Sequence, residues 1–250
     1  MRKIFFVLVI LALVIIALCV PIAKSDELSI YMFDVGQGDS FLIISPDNKK
    51  MLVDTGANSD VIRKIRSTLG PFDNVIDYVV TTHGDKDHSG ALKYVLNEFY
   101  VTVNLQEITE NSDFNLGCCV TIDFVWPETL KDIRIKDTNS GSVTFFLKFK
   151  DFKAFFPGDL PINLQEYVTN RYSDKIDLLK ISHHGSISGT SGILLSTLNP
   201  KVAMISVGKT NSYGHPHSAV IKMLEANKII LYRTDEMGTV RFVTNGVGNF

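Results

Sequence analysis

Four side chains able to hold a metal fall within six positions: His83, Asp85, Asp87 and His88, in Thr82-His83-Gly84-Asp85-Lys86-Asp87-His88-Ser89-Gly90. Imidazole and carboxylate together suit a divalent ion in a hydrolytic site. The run before them, Val75 to Val80, reads as a strand, and the run after them, Ala91 to Leu96, carries a helical pattern. A strand ends, a loop turns and a helix begins, which lets alternate side chains point into one cleft. A polar turn capping a helix uses the same residue types singly. His-x-Asp-x-Asp-His at such a junction is more than a cap requires.

Further blocks lie along the chain: Phe33-Asp34-Val35-Gly36-Gln37-Gly38-Asp39-Ser40, Leu52-Val53-Asp54-Thr55-Gly56, Phe156-Pro157-Gly158-Asp159, Leu179-Lys180-Ile181-Ser182-His183-His184-Gly185-Ser186, and Ser206-Val207-Gly208 through Tyr213-Gly214-His215-Pro216. With the metal loop they resemble the metallo-β-lactamase superfamily, whose His-x-His-x-Asp-His signature appears here with Asp85 in the second His position. In this variant form and order they resemble the hydrolase domain of ComEC, the DNA-uptake channel of competent bacteria, from about Leu28 onward.

The resemblance implies an α/β fold: an αββα sandwich of two mixed β-sheets flanked by helices. It implies two divalent ions, Mn or Zn, held by His83, Asp85, Asp87, His88, Asp159 and one histidine of the His183-His184 pair. His183 is the preferred ligand and His184 the alternative. Asp159 is the implied bridging carboxylate, as a two-metal hydrolase requires a shared oxygen ligand. Asp54 is implied to support the metal loop from behind. Asp39, His184 and Ser186 are expected to face substrate or to back the ligands, and Asp87 and His215 to act in catalysis. His215 is expected to orient a phosphate or protonate the leaving group. One departure stands out: no His lies between His88 and Asp159, where two-metal members of the superfamily usually carry a third. The first ion is left with His83, Asp85 and Asp159. Weak binding and a shift from zinc toward manganese follow as expectations, because oxygen ligands suit the harder ion.

These residues need a frame. Strands are predicted over 28–33, 40–44, 50–53, 75–80, 100–105, 120–126, 143–149, 152–156, 177–181, 201–207, 229–232 and 239–243. Helices are predicted over 60–69, 91–96, 162–172 and 218–226, the first with Val61, Ile62, Ile65 and Leu69 on one side and Gly70-Pro71 to stop it. Gly36-Gln37-Gly38-Asp39 reads equally as a hairpin turn and as the rim of the site, since Gly lets backbone approach closely. Arg233, in Tyr232-Arg233-Thr234-Asp235, is a further candidate for a phosphate contact.

The chain has 250 residues. Residues 1–25 read as a transmembrane anchor or signal peptide, and residues 26–250 as one hydrolase domain. Arg2 and Lys3 precede an apolar run from Ile4 to Val20 without a charge, which places the N-terminus inside and the domain outside the membrane. An uncleaved anchor is preferred to cleavage and secretion. Of the three Cys, Cys118 and Cys119 are adjacent and Cys19 lies in the apolar run, so neither a disulfide framework nor a thiolate zinc site is expected. Three of the 25 Lys and Arg precede residue 26, leaving 22 against 27 Asp and Glu, a net charge of about −5. No Lys/Arg run supplies the basic footprint of a nucleic-acid binder.

The expected activity is that of a metal-dependent phosphodiesterase facing outward from the membrane, with a bridging water as nucleophile. DNA is the leading substrate by resemblance and an envelope phosphodiester the competitor. The contrasting expectation is a non-catalytic domain that binds nucleic acid or a partner. The expected partners are the membrane and DNA-uptake proteins, and the protein is expected to be a monomer.

Overall fold

The computed structural model describes residue 6 and residues 26–105, 107–110, 112–129, 137–172 and 174–247. The expected anchor over 1–25, apart from Phe6, lies outside them. No helix among the described residues is long and apolar enough to cross a membrane.

In chain order, β1 (Leu28–Met32), β2 (Phe41–Ile44) and β3 (Lys50–Val53) precede α1 (Asp60–Leu69) and β4 (Val75–Val80). Then come α2 (Lys86–Ser89), α3 (Leu92–Glu98), β5 (Tyr100–Leu105), β6 (Phe114–Asn115), β7 (Val120–Trp126), β8 (Thr144–Phe149) and β9 (Phe152–Phe156). α4 (Ile162–Arg171), β10 (Leu178–Lys180), α5 (Gly192–Leu198), β11 (Val202–Ile205), α6 (Ser218–Ala226), β12 (Ile230–Arg233), α7 (Thr234–Met237) and β13 (Val240–Thr244) complete the chain. The strands form a six-stranded sheet, β13-β1-β2-β3-β4-β5, and a seven-stranded sheet, β12-β11-β10-β9-β8-β7-β6. Both are mixed: β3, β4 and β5 run parallel, as do β9, β10, β11 and β12.

The two sheets pack face to face. Ile30, Met32, Phe41 and Met51 of one meet Phe145, Leu147, Phe152 and Phe156 of the other in a single buried cluster. Phe145 stacks on Phe156 with ring centroids 4.9 Å apart. Alternate residues point the other way, under helices. Leu42, Leu52 and Val79 pack with Val61, Ile65 and Val95 of α1 and α3. Phe146, Phe155 and Leu179 pack with Val168, Leu194 and Val220 of α4, α5 and α6. Covered on both faces, these strands read as nearly continuous apolar runs, as in Phe145-Phe146-Leu147.

Besides the short β6 and α7, two features depart from the sequence expectation. The metal loop contains a helical turn, α2, so Asp87 and His88 sit on helix rather than loop. α5 was not expected; Ser191 caps it by accepting from the Leu194 amide at 3.1 Å, and Leu194, Leu195 and Leu198 are buried.

Candidate metal centre

Parallel strands bring their carboxyl ends to one edge, where α/β sheets bind ligands. Thr82 and His83 follow β4, Asp54 follows β3, Asp159 follows β9, and His183 and His184 follow β10. Asp39 arrives from the turn between β1 and β2. Its amide donates to the Asp87 carbonyl at 3.1 Å, and its own carbonyl accepts from Gly56 at 2.8 Å. Gly38 lies against Asp87 so closely that a β-carbon would run into the Asp87 carbonyl, and its φ of +131° disfavours other residues.

Three imidazoles are tethered the same way. His88 Nδ1 lies 2.7 Å from Asp54 Oδ2, and its Nε2 lies 3.2 Å from Asp159 Oδ2. His184 donates from Nδ1 to the Ser206 carbonyl at 2.9 Å, and its Nε2 lies 3.3 Å from Asp87 Oδ2 and 3.4 Å from Asp159 Oδ2. His83 Nδ1 lies 3.0 Å from Thr82 Oγ1, which itself donates to Asp54 Oδ2 at 2.7 Å. Its Nε2 lies 3.6 Å from Asp85 Oδ2. A partner on Nδ1 leaves the Nε2 lone pair for a cation, as metal-ligating histidines are usually arranged. Among the described residues, Nε2 of His83 and of His184 are buried without a hydrogen-bond partner. Ligands sharing a tetrahedral ion at bonds of about 2.1 Å stand about 3.4 Å apart. The spacings around Asp159 match that value, so these residues fit a divalent ion.

Charge tells the same story. Burial presses the His184 imidazole down, but Asp159 and Asp39 outweigh it and lift it to about 9. His88, equally buried, is raised well above its ordinary value by Asp159 and Asp54. Burial pushes Asp159 up, yet His88, His184 and Lys180 hold it well below the usual carboxylate range. A buried cluster of carboxylates demands positive charge, and without a metal ion protons on the histidines supply it.

Residues 33–117 match the family model described as Metallo-beta-lactamase superfamily. ComE operon protein 3 of Bacillus subtilis is 28% identical over 90% of this chain and 34% of its own length. Competence protein ComA of Neisseria gonorrhoeae is 28% identical over 87% of this chain and 32% of its own length. The crystal structure of CmlA, a diiron β-hydroxylase from Streptomyces venezuelae, superposes with a TM-score of 0.57 at 12% identity, over 90% of this chain and 55% of that one. The chain has the metallo-β-lactamase fold. It spans about a third of the length of the curated relatives it matches.

Within this fold the expected residues divide. His83, Asp85, Asp87, His88 and Asp159 converge on the cleft between the sheet edges. Of the histidine pair, His184 reaches the carboxylates and the preferred His183 does not. His183 and His184 both adopt left-handed backbone, at φ 50° and 53°. That double twist buries the second ring and leaves the first at the rim, its amide donating to Asp159 Oδ1 at 3.1 Å. Asp54 clamps the metal loop, accepting from the Thr82 amide at 2.7 Å as well as from its hydroxyl.

By distance Asp39 groups with His88, Asp159 and His184 as metal-competent. It lies on the Nδ1 side of both rings, 3.9 Å from His88 and 3.3 Å from His184. It is therefore placed behind the imidazoles, while Asp87 faces the His184 Nε2. Ser186 turns its hydroxyl to Ser188 at 3.0 Å within its own loop, not toward the cluster. His215 stands one ring further out, 5.6 Å from His183 between centroids. Burial and the imidazoles of His183 and His184 hold it down to about 4. It is neutral at pH 7, suited to accept a hydrogen bond rather than to act as an imidazolium acid. Arg233 is engaged by Asp235 and Glu236, at 2.6 and 2.8 Å.

Sequence reasoning missed Lys180, Thr82 and Ser142. Ser142 Oγ accepts from the Asp159 amide at 3.2 Å and lies 3.4 Å from His83 Nδ1, bracing the cluster where no histidine is available. The signal for Lys180 was a lone cation inside the apolar run Leu178-Leu179-Lys180-Ile181.

Proposed function

We propose that this domain is a metal-dependent phosphodiesterase, with DNA as the leading substrate. The observation that carries the reading is the set of three imidazoles, each tethered at Nδ1 and turned by Nε2 toward a carboxylate. His88, His184, Asp87 and Asp159 would hold one ion, and His83, Asp85 and Asp159 a second. Divalent ions bound there supply Lewis acidity toward phosphoryl oxygens and lower the pKa of water. The residues supply the rest. Asp54, Thr82 and the Ser206 carbonyl keep the imidazoles neutral and aimed when the ions are bound. The neutral His215 and the half-buried His183 form the rim on which a phosphodiester would rest, with His215 placed to accept a hydrogen bond. DNA is favoured because the similar proteins include one named for competence.

One observation favours a second substrate. The excess of acidic residues and the lack of a Lys/Arg run favour a less highly charged envelope phosphodiester over a polyanion. In either case the proposed setting is the outer side of the cytoplasmic membrane, with the segment before residue 26 as anchor and DNA-uptake proteins as partners.

The test is incubation of the purified chain with labelled single- and double-stranded DNA and manganese or zinc, beside Asp87→Ala. Metal-dependent cleavage that vanishes in the variant supports the nuclease. No DNA cleavage by a metal-loaded preparation overturns it, and envelope polymers are then assayed with the same protein.

A further inference from the structure

Lys180 is 1% exposed and lies at the heart of the centre. Its ammonium donates to the Gly158 carbonyl at 2.7 Å and to Asp159 Oδ1 at 3.2 Å, and it forms a close ion pair with Asp39 Oδ2. An ammonium offers three donors, and these three acceptors account for them. Asp159 thus has Oδ1 occupied by Lys180 and by the His183 amide, while Oδ2 faces His88 and His184. Asp39, which distance alone makes a fourth ligand of the cluster, has Oδ2 occupied by the same ammonium, and its Oδ1, buried without a hydrogen bond, is held 3.3 Å from His184 Nδ1, on the side of that ring away from Asp87 and Asp159.

We infer that Lys180 is the positioning residue that decides which carboxylate oxygens reach the metal: it withholds Asp39 and restricts Asp159 to Oδ2. A fixed positive charge this close also weakens the hold on each bound cation, since Coulomb repulsion is strong where water is excluded. Lys180 therefore keeps the centre from becoming an over-coordinated, tightly held cation trap. It touches no substrate, being sealed beneath Asp39, Asp159 and the Gly158 carbonyl.

The inference rests on the metal-centre reading, and cobalt binding separates the two. The purified chain is titrated with cobalt(II), following affinity, stoichiometry and the d–d absorption bands. In Lys180→Met, Asp39 is released to ligate. The d–d intensity falls as an oxygen ligand is added, and cobalt affinity rises by about tenfold, on the scale that partners of ligands usually move it. Adding Asp39→Asn removes the released carboxylate, so the spectrum and affinity of Lys180→Met/Asp39→Asn move back toward wild type, short of it by what the freed Asp159 Oδ1 contributes. Asp39→Asn alone leaves the cobalt spectrum and stoichiometry unchanged; if Lys180→Met does not fold, Lys180→Gln, which keeps a polar head and loses the charge, takes its place with the same expected result.

A merely structural Lys180 gives the opposite pattern: weaker cobalt binding in Lys180→Met, no recovery in the double variant. That result, or a wild-type spectrum in Lys180→Met, overturns the inference while leaving the metal centre standing. Loss of a bound cobalt in Asp39→Asn also overturns it, because Asp39 would then be a ligand. Failure of the unaltered protein to bind cobalt overturns both.

Discussion

Asp54 Oδ2 and His88 Nδ1 lie 2.7 Å apart, both fully buried, and the other ring nitrogen of His88 faces Asp159. The same carboxyl oxygen accepts from Thr82 Oγ1, which in turn lies beside His83 Nδ1. One aspartate on left-handed backbone (φ 58°) thus sets the tautomer and aim of two histidines. Asp54→Asn keeps the shape and loses the charge, and it is expected to weaken metal binding by about 10–100-fold. Metal titration against a competing chelator measures this.

His183 and His184 make a sharper test, because they are chemically identical neighbours. His184→Ala is expected to lower metal affinity by about 100-fold or more, since a direct ligand counts for at least as much as its supports. His183→Ala is expected to keep its metal and to lose only turnover. Metal content after gel filtration, measured beside activity, decides between them.

Metal affinity is expected to depend on pH in a definite direction. His184 is held at about 9, above the value of about 6.5 for a free histidine. In the metal-free protein a histidine with a raised pKa contributes stability in full below about pH 6.5. That contribution is lost as pH rises through about 9. Metal needs the deprotonated ring, so apparent affinity is expected to climb with pH throughout the range below about 9 and then level. Thermal unfolding with and without chelator across that window is expected to show the metal-bound and metal-free transitions moving apart as pH rises.

Gly38→Ala places a methyl group against the Asp87 carbonyl at a φ of +131°. A cost of about 1–3 kcal/mol is expected. It falls on the metal loop, so metal affinity is expected to drop with stability. Denaturant unfolding of the metal-free protein isolates the first effect, and chelator competition the second.

Phe145→Ala removes a ring stacked on Phe156 between the sheets. The expected cost is about 3–5 kcal/mol. The centre lies at the strand ends rather than between the sheets, so the folded fraction is expected to keep its metal stoichiometry.

The sequence by itself determined where the candidate metal loop lies, the types of the side chains that meet there and most of the frame. Strands buried on both faces are strongly apolar, and α1, α4 and α6 announce themselves by period and by stop signals, so their bounds fall within a residue or two of expectation. Asp87, His88 and Asp159 were legible because they sit where chain-local patterns change from strand to turn.

Only the tertiary structure decided what depends on neighbours distant in sequence. The choice of His184 over His183 comes from two successive left-handed residues and a carbonyl on β11's exit, which no local pattern encodes. The place of Asp39 depends on Lys180, 141 positions away in the chain, and Lys180 in turn on Asp159 and the Gly158 carbonyl. Both sheets must be assembled before those groups meet. Residue type tells which atoms can bind a metal; the packing of the two sheets decides which of those atoms are already engaged elsewhere.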